Sequence, residues 1–187
     1  AVLNTCRNLE KLGFQVDYLS AARFGWVDIE QLQRTVNDKT ILISIQHAIS
    51  EVGTLQDIAK IGEIARAHGV LFHSDAVQSV GKITVDIKNM PVDLLSFSAH
   101  KLNGPKGVGA VYIKKGCPKL YPHISGGGQE KKRRGGTENV AGIVGFGKAC
   151  ERAKYKLVLP GATHLERMRE ALYLKITSAI VGVEFYG

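Results

Sequence analysis

Three short, nearly continuous apolar runs constrain this chain more than anything else in it: TILISIQHAI at 40–49, VLFHSDA at 70–76 and VDLLSFSAH at 92–100. Each is too short for a buried helix, and each is apolar almost throughout rather than alternating with polar residues, as a strand buried on both faces is. The spacing between the first two is helical: QDIAKIGEIARAHG sets Ile58, Ile61, Ile64 and Ala65 on one face. Upstream, VDIEQLQRTVND predicts a further helix capped by Asp28, and residues 1–12 place Val2, Leu3, Cys6, Leu9 and Leu12 at helical spacing before Gly13. FQVDYLS and VGAVYIKKG read as additional strands. Apolar strands alternating with helices predict an α/β fold, a mostly parallel sheet flanked by helices on both faces. From about residue 138 the pattern turns helical, with NVAGIVGFGKACERAKY and HLERMREALYLKITSAI separated by LPGAT, and VEFYG reads as a starting strand. The chain opens inside a helix and stops at that strand, so it is expected to be a fragment, with 1–137 forming one unit and 138–187 a helical continuation into a second.

Composition closes off several function classes. The net charge of +8 raises nucleic acid as a partner, but the excess is dispersed apart from KKRR at 131–134. No aromatic residues interleave with that run and no helix-turn-helix or RNP-like pattern accompanies it, so nucleic acid is not expected. No run has the length and apolarity of a membrane span, and AVLNTCRNLE lacks the charged start and apolar centre of a secretory signal. A cytoplasmic protein without a membrane partner is expected. Cys6, Cys117 and Cys150 are odd in number and have no CxxC spacing, which points away from disulfides and zinc and towards structural roles.

Ligands of open α/β sheets bind beyond the carboxyl ends of the strands. Three polar clusters stand at such ends: QHAISE (46–51), HSDAVQS (73–79) and SAHK (98–101). Together they would gather Asp75, Gln78, Ser98, His100 and Lys101 around one pocket. A lysine is costly to bury unless its environment neutralises or uses it, and a desolvated Lys101 could attack a carbonyl as the neutral amine. A carbonyl cofactor would then be held as a Schiff base, and pyridoxal phosphate would find a carboxylate for its ring nitrogen in Asp75 and phosphate ligands in Ser98 and His100. No metal site is expected. The same residues admit a plainer reading: a solvated strand-end lysine, an aspartate capping its turn, a satisfied core histidine at His73, and glycines 104, 107 and 109 shaping a hairpin. NGPKGVG lacks the spacing of a P-loop.

The motifs HSDAVQSVGKITVD, VDLLSFSAHKLNGPKGVGAVYI and GGGQEKKRRGGTENV, with AVLNTCRNLEKLGF at the start, occur in an order that resembles the cysteine desulfurases of the class V aminotransferase superfamily, with selenocysteine lyases as close relatives. The resemblance implies the large-domain core of a fold type I pyridoxal phosphate enzyme. It makes Lys101 the lysine joined to the cofactor and later an acid and base, Asp75 the partner of the pyridinium nitrogen, Gln78 a hydrogen-bond partner of the phenolic oxygen, and Ser98 and His100 phosphate ligands. Thr137 matches a threonine that reaches the phosphate in the other subunit of a homodimer. The implied reaction takes L-cysteine to L-alanine, with sulfur held as a persulfide on a cysteine outside this chain and passed to an acceptor or scaffold protein. The pathway served, whether iron–sulfur cluster assembly, tRNA thiolation or selenium recycling, stays open. The family has asparagines where this chain has Ile49 and Ser50; Ser50 retains a hydroxyl for the cofactor contact but reaches less far. The alternatives are a selenocysteine lyase and a non-catalytic scaffold that has lost the cofactor. A fragment lacking the rest of the pocket is expected to be inactive alone.

Overall fold

The computed structural model describes residues 2–158 and 163–186. Its elements run α1 (Val2–Lys11), α2 (Ile29–Thr35), β1 (Leu42–Gln46), α3 (Ile58–Ala67), β2 (Leu71–Asp75), β3 (Leu94–Ser98), a 3-10 turn (Ala99–Leu102), β4 (Gly109–Ile113), the one-turn α4 (Gln129–Lys132), α5 (Val140–Val158) and α6 (His164–Ala179). Most of the LPGAT connection, 159–162, lies outside the described residues.

The four strands form one sheet in the order β1-β2-β3-β4. β1 and β3 both pair with β2 in parallel, and β4 returns antiparallel to β3. A parallel pair needs a crossover, which α3 supplies between β1 and β2. Asp57 starts α3 by accepting from the Lys60 amide at 3.0 Å, and Ile58, Ile61, Ile64 and Ala65 go into the core as their spacing predicts. Asp28 caps α2 in the same way, through the Gln31 amide at 2.9 Å. Gly62 lets α3 lie close against the chain entering β3: an ideal Cβ there would stand 2.6 Å from the Pro91 carbonyl oxygen.

Strand alternation and register assign the two sheet faces. Ile43, Ile45, Phe72 and Leu95 share one face and pack with Leu32 of α2 and the apolar side of α3. Burying a side chain such as Phe72, which is 0% exposed, contributes on the order of 1.5–3 kcal/mol. On the same face, where β3 ends, α5 packs through Phe146, Ala149 and Ala153 onto Ala99 and Leu102 of the 3-10 turn. The Phe97 and Phe146 rings stand 5.6 Å apart at 59°.

Several expectations from the sequence need correction. Both core clusters lie on one face, so helices cover only one side of the sheet among the described residues; on the other face Leu42 of β1 and Val111 of β4 are 47% and 58% exposed, though Leu94 of β3 is buried. FQVDYLS (14–20) forms no strand, the isolated Ala21–Val27 bridge lying just past it, and 183–186 forms none, because an extended segment becomes a strand only when a neighbour pairs with it. The α1 stripe is amphipathic but buries no residue, so Cys6 is half-buried rather than in a core.

Candidate functional site

Because β1, β2 and β3 run parallel, their carboxyl ends meet at one edge of the sheet. The register sets Gln46 beside Asp75 and Asp75 beside Ser96. The backbone continues that order past the strand ends: the His47 amide donates to the Asp75 carbonyl and the Ala76 amide to the Ser96 carbonyl, both at 2.8 Å. The polar clusters 46–51, 73–79 and 98–101 therefore share one edge. By alternation Gln46, Asp75, Ser96 and Ser98 belong to the uncovered face.

Asp75 is half-buried, and its Oδ1 accepts from the Val77 amide at 2.9 Å, which turns the chain sharply after β2. That turn carries Gln78, whose Oε1 accepts from the Lys82 ammonium at 2.5 Å. Ser98 ends β3 with its hydroxyl 2.7 Å from Nδ1 of His100, so hydroxyl and imidazole act as one pair. Lys101 follows on the 3-10 turn, which stops at Asn103 in the left-handed region with φ of 60°.

Lys101 is exposed, so the premise of a buried amine does not hold for this chain. The Glu51 carboxyl is held below its usual value first by the Ser50 hydroxyl, which donates to it at 2.8 Å, then by its own backbone amide and, more weakly, by Lys101. Partial burial lowers the Lys82 ammonium pKa, and the like charge of Lys101 lowers it further. Ser50 therefore spends its hydroxyl on Glu51. Thr137 sits exposed in the connection before α5, where no described residue hydrogen-bonds its side chain.

Sequence reasoning missed three features. Ser44, His73 and Ser96 form a hydrogen-bonded row across the uncovered face, with Ser44 Oγ 2.8 Å from Nδ1 and Ser96 Oγ 3.1 Å from Nε2. Ser44 is the register partner of His73, and Ser96 lies two residues past Leu94, the partner of His73 on β3, on the same face, so strand alternation was the available signal. His47 Nδ1 is buried without a partner, and burial lowers the pKa of that imidazole and of His73. Lys82, four residues after Gln78, was passed over as part of a longer motif. A cleft of about 320 Å³ opens between α3 and residues 87–92, and none of these groups lines it.

The family described as aminotransferase class-V matches residues 1–187. Over 170 residues, 91% of its length, the chain is 51% identical to the cysteine desulfurase IscS of Dictyoglomus turgidum, and it is 49% identical over 172 residues to that of Methanosarcina thermophila. It spans 42% of the length of each. Among solved structures, a NifS-like protein superposes with a TM-score of 0.88 at 43% identity, over 95% of this chain and 48% of that one. SspA in complex with cysteine gives 0.82 at 39% identity, over 93% and 49%.

Proposed function

Since the chain belongs to the class-V aminotransferase family, we propose that it is the cofactor-binding part of a pyridoxal phosphate-dependent cysteine desulfurase. The observation that carries this reading is the gathering of one carboxylate, one carboxamide, a hydroxyl–imidazole pair and one amine at a single sheet edge. That donor set fits the group: Lys101 for its aldehyde, Asp75 for its ring nitrogen, Gln78 for its phenolic oxygen, Ser98 and His100 for its phosphate. When bound, the cofactor supplies an electron sink for negative charge developing on an amino acid substrate.

The protein's own groups then divide the work. The Asp75 carboxylate keeps Oδ2 free of described donors while Oδ1 fixes the turn, so one oxygen is available to hold a proton on a ring nitrogen. The Ser98 hydroxyl and His100 imidazole bind anionic oxygens. The Lys101 amine would take and return protons beside the substrate. Ser50 contributes less than its position suggests, because its hydroxyl is engaged by Glu51. Thr137 acts across a homodimer, on the phosphate held by the other subunit. L-cysteine is the substrate, and its sulfur leaves to an acceptor protein in the cytoplasm. The attacking thiolate is none of the three cysteines here: Cys6, Cys117 and Cys150 are half-buried, and burial pushes the Cys150 thiol pKa up.

The test uses the full-length protein loaded with pyridoxal phosphate. The expected result is a visible absorption band that is lost in Lys101→Ala, together with alanine formation from cysteine and, with a thiol reductant added, sulfide release. A wild type that stays colourless refutes the reading and favours a scaffold without cofactor; turnover restricted to selenocysteine reassigns the substrate.

A further inference from the structure

We propose that Lys82 is a positioning residue for the strand-end site: its ammonium holds the Gln78 carboxamide by the oxygen, leaving the amide NH2 as the group Gln78 offers to a ligand. This rests on the functional reading above and deepens it, by assigning what makes Gln78 a donor.

The chemistry of the contact decides the amide's orientation. A lysine ammonium has three donors and no acceptor, so its 2.5 Å contact with Gln78 must be made to the carbonyl oxygen. With Oε1 engaged, Nε2 is left over, and no described residue accepts from it. A free glutamine amide can turn either end to a ligand, and the two ends differ in sign: one donates and one accepts. Lys82 removes that ambiguity. The site then presents a donor to an acceptor oxygen, which is the chemistry of a phenolate or a phenolic oxygen beside a ring.

The backbone that carries Lys82 is fixed next to Lys101 by an independent feature. Gly81 has φ of +75°, and an ideal Cβ on it would lie 2.2 Å from Leu102 Cδ2 and 3.0 Å from Ala153 Cβ. Only a residue without a side chain allows so close an approach to the residue that follows Lys101. The neighbouring Val80 packs into the same cluster as Ala99 and Leu102. The amides of Lys82 and Ile83 both donate to the Ser79 carbonyl at 3.0 Å, and Val80 bridges to Ile83. The turn 76–83 is thus pressed against the turn that bears Lys101, and the Lys82 side chain starts from a defined point. The Lys82 side chain is exposed, and the Gln78 oxygen is the acceptor that the structure provides for its ammonium.

The experiment is a double-mutant cycle in the full-length protein, read by the affinity of the apoprotein for pyridoxal phosphate and by the position of the visible band. Lys82→Met is expected to weaken cofactor binding about three- to tenfold, the scale of one hydrogen bond, and to move the band. Lys82→Arg, which keeps a donor for Oε1, restores both. In a Gln78→Ala background Lys82→Met has no further effect, because the group it acts through is gone. Wild-type affinity in Lys82→Met overturns the proposal, and so does an equal loss with and without Gln78, which would mark a bulk-charge or structural effect. A wild type that fails to load the cofactor overturns this proposal and the functional reading together; loading that is indifferent to Lys82 overturns this proposal alone.

Discussion

Replacing Gly81 with alanine tests the packing on which the strand-end site depends. Two costs combine. The residue has φ of +75°, a region that costs an L-residue about 1–2 kcal/mol. Its new Cβ would also stand 2.2 Å from Leu102 Cδ2, a contact that one of the two groups must yield. Leu102 has little freedom to yield, since it is 8% exposed and packed with Phe146, Ala149 and Ala153, and such overpacking costs about 1–3 kcal/mol. Gly81→Ala should therefore destabilise by about 2–5 kcal/mol. Leu102→Ala should cost about 2–5 kcal/mol by leaving a cavity, but the double variant should cost less than the sum by about 1–3 kcal/mol, because the added methyl then enters space that the leucine has vacated. Urea denaturation midpoints of the full-length wild type and the three variants measure all of these terms. A Gly81→Ala loss within about 0.5 kcal/mol, or simple additivity in the double variant, would refute the close approach and the seating of Lys82 with it.

Two further outcomes follow from burial. The folded state keeps the His47 and His73 imidazoles neutral to a lower pH than the unfolded chain, whose histidines titrate near 6.5. The unfolded state therefore binds protons first, so stability is full above about pH 7, falls as the pH drops through 6.5, and levels off below the lowered folded values. His73→Gln should flatten part of that decline in denaturation midpoints between pH 7.5 and 5.5, and a wild type with no decline contradicts the burial argument. Phe72→Ala, at a position 0% exposed in the middle of the helix-covered face, should lose about 3–5 kcal/mol in the same assay, whereas a loss below about 1 kcal/mol would mean that the core forms elsewhere.

Much of the fold could be read from local pattern. Asp28 and Asp57 mark helix starts because a carboxylate satisfies an amide that the helix leaves unpaired, and that need is local. The three apolar runs become β1, β2 and β3 with their polar clusters at one edge, because a helical crossover forces β1 and β2 to run the same way. FQVDYLS has strand-like alternation and still forms no ladder, since pairing depends on a neighbour that no local signal supplies.

The candidate site divides along the same line. Residue types and strand-end positions named Asp75, Gln78, Ser98, His100 and Lys101 without coordinates, because a parallel sheet brings successive carboxyl ends together whatever the details of its packing. The exposure of Lys101, the diversion of Ser50 to Glu51 and the grip of Lys82 on Gln78 were decided only in three dimensions. Each depends on how far apart two side chains come to rest and on which sheet face is covered, and those quantities are set by packing across the whole chain. Periodicity and capping act over a few residues and are written along the chain itself; burial and side-chain pairing join segments distant along it, such as Gly81 and Ala153, and exist only once the fold has brought them together.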